Sequence, residues 1–203
     1  LSSQAFVTLA IGFFLGAIPF GWLLFRLTDK SDIRAMGSGN IGACNVLRTK
    51  GIGYGMLILF LDTAKGALPL WYASQHFPGQ RPFWALTILV VTLGHIHTPF
   101  LKGKGGKGVA TFFGGLIVFS PWLSLIFLIA FLLTVWGCRY VSAASVSAVS
   151  LTFMAMLFSE SAEVSMLILL SLLLITVQHR QNIQRILNGQ ENRLGRGTGH
   201  ESS

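Results

Sequence analysis

The chain has 203 residues, 52% of them hydrophobic and 11% charged, with 15 Lys and Arg against 7 Asp and Glu for a net charge of +8. A mean hydropathy of +0.65 excludes a soluble globular chain. Two cysteines and five scattered histidines leave no disulfide framework and no zinc site to assemble.

A helix needs roughly 20 apolar residues to cross a bilayer core of about 30 Å. Residues 1–25 hold no Asp, Glu, Lys or Arg; the run lacks a basic leader and is too long for a signal-peptide core, which predicts a first membrane helix near 4–26. Leu1 stands where an initiator Met would, pointing to a partial or processed chain. A basic loop over 26–50 follows, then a helix near 52–73 that carries Asp62 and Lys65 one turn apart. Ionisable groups at that depth are functional candidates, although a neutralising ion pair that anchors the loops accounts for both. The third helix is expected near 83–98.

Residues 108–138 form one apolar run of 31 residues interrupted by Ser120-Pro121. A single helix of that length would span about 46 Å at about 1.5 Å per residue, and proline punctuates helices. Loop charge decides the case. A single crossing leaves eight loop cations on one side and six on the other; a hairpin at Ser120-Pro121 leaves thirteen and one. The positive-inside rule selects the hairpin. The expected fold is therefore all-α and polytopic, with seven transmembrane helices near 4–26, 52–73, 83–98, 108–119, 121–138, 142–159 and 163–178. Its N-terminus lies outside and its C-terminus in the cytoplasm. Residues 1–194 make one integral-membrane domain, and the Gly-rich stretch 195–203 is read as a flexible tail.

The polar chemistry collects in the cytoplasmic connections. Gly37-Ser38-Gly39-Asn40-Ile41-Gly42 and Gly103-Lys104-Gly105-Gly106-Lys107-Gly108 both spell GxGxxG, but neither follows a strand in a βαβ unit, so the dinucleotide reading fails. Two Gly-rich loops on one face, with Arg48 and Lys107 beside them, favour phosphate binding: backbone N–H groups and a helix N-terminus reach an anion closely where side chains are absent. Ser142 and Ser145 add hydroxyls in 139–145, and 178–192 contributes His179, Arg180, Asn182 and Glu191. His95 and His97 read as structural, Arg180 and Arg185 as headgroup anchors, and the serines of 145–150 as helix packing. Basic charge here marks topology and anionic lipid, not nucleic acid.

The stretches "GSGNIGACNVLRTKG", "GHIHTPFLKGKGGKGVAT", "HRQNIQRILNGQE" and "FLDTAKGALP" resemble the signature segments of the bacterial acyl-phosphate:glycerol-3-phosphate acyltransferase family (the PlsY type), in order and over nearly the whole chain. Cys44 stands where Thr is expected, and Gly103 where an aromatic is usual. The resemblance implies an enzyme of the bacterial inner membrane with its active site facing the cytoplasm. It would move a fatty acyl group from acyl phosphate to the 1-hydroxyl of glycerol 3-phosphate, giving lysophosphatidic acid and phosphate without a covalent acyl-enzyme. It further implies that Ser38, Arg48, His179 and Asn182 are catalytic. Gly39, Asn40, Gly42, Asn45, Lys104, Gly105, Gly106, Lys107, Gly108 and Ser142 would bind substrate, while Glu191, Asp62 and Lys65 would be structural. No metal or cofactor is expected; the partners are the two phosphorylated substrates and membrane lipid, and a monomer is expected.

Two rival classes fit less well. An anion transporter would set such loops at broken helices near the midplane, within an inverted repeat. A CDP-alcohol phosphotransferase would need clustered carboxylates for divalent metal, and the seven acids here are spread out.

Overall fold

The computed structural model describes residues 2–195; the tail expected over 195–203 lies, beyond Gly195, outside the described residues. Those residues form ten α-helices and two short 3-10 turns, with no strand among them. The helices are α1 (Ser3–Ala17), α2 (Phe20–Thr28), α3 (Ala43–Lys50), α4 (Ile52–His76) and α5 (Arg81–Ile96). They continue with α6 (Val109–Phe119), α7 (Pro121–Cys138), α8 (Val141–Ser159), α9 (Ala162–Gln178) and α10 (Arg180–Leu187).

The helix expected over 4–26 is two helices, bent by 44°. Pro19 has no N–H to continue the ladder, and the freed carbonyls find other donors. Thr98 Oγ1 donates to the Ala17 oxygen at 2.6 Å and Lys65 Nζ to that of Ile18 at 2.8 Å. A broken helix is tolerated in a membrane protein where neighbours re-satisfy its backbone in this way. At Ser120-Pro121 the chain does turn back. Ser120 ends α6 in an extended conformation and Pro121 opens α7. Phe113 on α6 then stacks on Phe127 of α7 at 4.8 Å between ring centres.

Among the described residues α7, α8 and α5 (with the turn that follows it) are long and apolar enough to cross a membrane, and the bent pairs α1–α2 and α9–α10 could each serve as one more span. The expected seven also counts α4, which carries Asp62 and Lys65, and α6, which has only 11 residues. Large apolar side chains point outward, Phe158 at 89% exposure and Trp136 at 84%, as suits lipid rather than water as the solvent.

Glycines bring two helix pairs into near contact of their backbones. A Cβ on Gly66 of α4 would meet the Thr111 carbonyl, and one on Gly114 of α6 would meet that of Thr63. Between α1 and α5, Gly16 lies against the Val91 carbonyl and Gly94 against that of Phe13. Small residues at these crossings permit the close approach by which helices associate in lipid.

Candidate active site

Loops and helix ends from across the chain meet around one cavity of about 240 Å³. Its first wall is the loop before α3. Gly37 and Gly39 there have φ of +55° and +73°, a region that only glycine enters freely. Asn45, 1% exposed, holds the loop in shape: its amide donates to the carbonyls of Met36 and Asn40 at 3.0 and 2.8 Å, and its oxygen accepts from the Ser38 N–H at 2.9 Å. Asn40 accepts from the Gly42 N–H at 2.8 Å. Ser38, Asn40, Gly42, Asn45 and Arg48 all line the cavity. None of the ion pairs formed among the described residues uses Arg48.

The second loop differs from expectation in one respect. The N–H groups of Gly103, Lys104, Gly105 and Gly106 are all committed internally, to the carbonyls of Thr98, Leu101, Ile96 and His95. These glycines therefore do not present their amides to a ligand, and Gly39, Lys104, Gly105 and Gly106 do not line the cavity. Lys107 and Gly108 do, together with Val109 and Ala110 of the first turn of α6. No side chain caps α6, and the first-turn N–H groups of any helix lack intrahelical acceptors. The backbone that faces the cavity thus begins at the helix N-terminus rather than inside the glycine run.

The same pattern recurs. Helices α3, α8 and α10 also begin at the cavity without a side-chain cap, through Gly42 to Cys44, Val141 and Ser142, and His179 and Asn182. Each N-terminus carries up to roughly half a positive charge. That of α10 is offset by the C-terminus of α9 directly before it, which leaves α3, α6 and α8 beside Arg48 and Lys107 as the positive part of the lining.

A hydrogen-bond network ties the third loop to the rest. Lys107 Nζ donates to Asn182 Oδ1 at 2.5 Å, and Asn182 Nδ2 donates to Glu191 Oε1 at 2.6 Å. Ser142 Oγ donates to the same oxygen at 2.9 Å and Arg185 Nε to Oε2 at 2.8 Å. Burial alone would raise the Glu191 carboxyl, but the bonds from Asn182, Arg185 and Ser142 hold it below the usual range. Arg185, expected to anchor at headgroups, is instead part of this network, and the Ser142 hydroxyl is already engaged by Glu191.

His179 is 2% exposed. Its Nδ1 lies 2.8 Å from the Ile175 carbonyl oxygen, which can only accept. The ring proton therefore sits on Nδ1, and Nε2 keeps its lone pair. Burial first, then the Lys107 charge, lower its pKa to about 4; the ring is neutral at physiological pH. Burial also lowers Lys107 to about 8, against the pull of Glu191.

The cavity floor holds the expected ion pair, with Lys65 Nζ 2.8 Å from Asp62 Oδ1 and both side chains 4% exposed. Asp62 reaches the cavity and Lys65 does not. His95, read from sequence as structural, also lines the cavity at 5% exposure. The far wall is apolar, built from Phe113, Phe127, Leu128 and Phe131. The polar and the apolar lining residues enclose one continuous space. No group of residues suited to hold a metal ion occurs among the described residues.

Known proteins share this architecture. A family model described as glycerol-3-phosphate acyltransferase matches residues 6–189. The glycerol-3-phosphate acyltransferase of Mesorhizobium japonicum is 39% identical over 93% of this chain and 95% of its own length. That of Syntrophotalea carbinolica is 42% identical over 93% and 97%. Two crystal structures of PlsY (YgiH), an integral membrane glycerol 3-phosphate acyltransferase, are similar at 36% identity over 95% of this chain and 96% of theirs. The glycerol 3-phosphate form superposes with a TM-score of 0.91 and the lysophosphatidic acid form with 0.88.

Proposed function

The chain belongs to the glycerol-3-phosphate acyltransferase family, and from that premise we propose that it transfers a fatty acyl group from acyl phosphate to the 1-hydroxyl of glycerol 3-phosphate. The observation that carries the reading is the set of four uncapped helix N-termini around one cavity, with Arg48 and Lys107 beside them and a phenylalanine wall opposite. A site for two phosphates and one acyl chain needs that combination. Seven spans with the basic loops and the site on the cytoplasmic side are the arrangement that the loop charges favour, and the family relationship supports a bacterial inner membrane as the location.

An acyl phosphate is already activated, so no protein nucleophile is required. The glycerol oxygen attacks the carbonyl carbon, the carbon–oxygen bond to phosphate breaks, and phosphate leaves with the electron pair. Ser38 and Arg48 grip the donor's phosphate, Arg48 through its bidentate fork. Lys107 and the α6 N-terminus hold that of glycerol 3-phosphate, while Lys104 at the exposed rim steers the anion inward. The neutral Nε2 of His179 accepts a hydrogen bond from the attacking hydroxyl and orients it. With a pKa near 4 it is a weaker base than the departing phosphate, whose oxygen takes the proton. Positioning and charge stabilisation supply the rate.

Purified enzyme in detergent, given acyl phosphate, should release phosphate only when glycerol 3-phosphate is added. Excess chelator should leave turnover intact, and quenched reactions should carry no protein-bound acyl group. Equal activity with an acyl thioester would overturn the donor assignment; a labelled acyl-enzyme would overturn direct transfer.

A further inference from the structure

We propose that His95 is a positioning residue for the loop bearing Lys107, and that residue 106 must be glycine because the His95 ring occupies the space a side chain would need. The proposal rests on the reading that this loop serves glycerol 3-phosphate. His95 sits in the last turn of α5, where its backbone oxygen accepts from the Gly106 N–H at 3.1 Å and the next carbonyl, of Ile96, accepts from Gly105 at 2.9 Å. The loop thus folds back over the end of α5, against the Nε2 edge of the imidazole. A Cβ built on Gly106 would meet His95 Nε2, with Cε1 and Cδ2 close behind. At Gly105 a Cβ would run into the two carbonyls themselves.

The opposite edge of the ring faces α4. His95 Nδ1 is buried without a hydrogen-bond partner and lies 3.8 Å from Asp62 Oδ1. Asp62 is fixed by Lys65, which is fixed in turn by the Ile18 carbonyl. The ring is therefore wedged between a braced ion pair and the glycine loop. Lys107, one residue beyond Gly106, is directed onto Asn182. His95 touches no reacting atom in this scheme; it sets where the Lys107 ammonium stands.

Reciprocal substitution tests this in the full-length enzyme. Asparagine retains an amide near the Nδ1 position and vacates that of Nε2, whereas glutamine reaches the Nε2 position. Gly106→Ala should raise KM for glycerol 3-phosphate about tenfold, and adding His95→Asn should return it to within about threefold of His95→Asn alone, a non-additivity typical of residues in contact. His95→Gln should relieve the defect less. If the two effects simply multiply, the methyl group obstructs the phosphate rather than the ring, and the proposal fails. Where Gly106→Ala does not accumulate as folded protein, recovery of monodisperse protein by His95→Asn reads the same contact, and no recovery overturns it. Relief of a defect lying in KM for acyl phosphate instead would keep His95 as the loop's support and sink the assignment of this loop to glycerol 3-phosphate.

Discussion

Lys107 stands between two opposing influences, burial that favours its neutral form and Glu191 beyond Asn182 that favours the cation. Its pKa near 8 means the cation is present below that pH and is lost as pH rises through it. KM for glycerol 3-phosphate should therefore climb above about pH 8, by up to tenfold per unit if one charge-assisted contact is lost. Lys107→Arg should carry the inflection out of the measurable range. His179 should behave in the opposite way to an ordinary histidine. Its depressed pKa keeps it neutral down to about pH 4, so kcat should show no imidazole inflection between pH 5.5 and 8. An inflection near 6.5 that disappears in His179→Gln would contradict the buried, neutral ring. Arg48, Lys107, His179 and Asn182 were legible as a set, because cations and amides are conspicuous in so apolar a chain. That Ser142 answers to Glu191, or that residues 103–106 spend their N–H groups on the end of α5, was not legible. Those partners are backbone and side-chain oxygens that only the folded loop brings near.

Among the elements, the long apolar runs were readable from length alone, and the turn at Ser120-Pro121 from charge and a proline. The break at Pro19 was hidden because hydropathy runs on uninterrupted through 1–25 while the ladder does not. Helices α3 and α10 were missed for a different reason: each has eight residues, too few to display a period, and α3 sits behind a glycine run that reads as loop. The glycines of the helix crossings carry an energetic prediction. Leucine at Gly66 or Gly114 must force α4 and α6 apart, since the first atom added meets a backbone carbonyl. Overpacking of this kind costs about 1–3 kcal/mol, often more when backbone must move. Thermal unfolding in detergent should fall for both variants, and for Gly53→Leu, which has open space around it, it should not.

Across the whole molecule, α3, α6, α8 and α10 begin at the cavity end of the bundle while α5 and α9 end there. The positive lining is therefore local, made by Arg48, Lys107 and the first turns of α3, α6 and α8 rather than by a bundle-wide dipole. That end carries the basic loops, which makes topology and catalysis two aspects of one charge distribution. Cys44 is exposed on α3 and Cys138 ends α7. Both should react with a membrane-impermeant thiol reagent only from the cytoplasmic side, in inside-out vesicles and not in intact cells. Labelling of Cys138 from outside would overturn the hairpin orientation and the count of seven spans.

Glu191 has a further consequence, one of timing. It follows every described helix in chain order, yet it fixes Asn182, Ser142 and Arg185 at once, while the Leu194 N–H just beyond it donates to the Arg139 carbonyl at 2.8 Å. Synthesis proceeds from the N-terminus, so every described apolar helix is made before this residue is. The nascent chain can insert, turn and pack its glycine crossings while the pocket still lacks the carboxylate that orients its third wall. A chain truncated after Asn188 and released from the ribosome should therefore insert and assemble its helices yet lack the carboxylate that braces Asn182, Ser142 and Arg185.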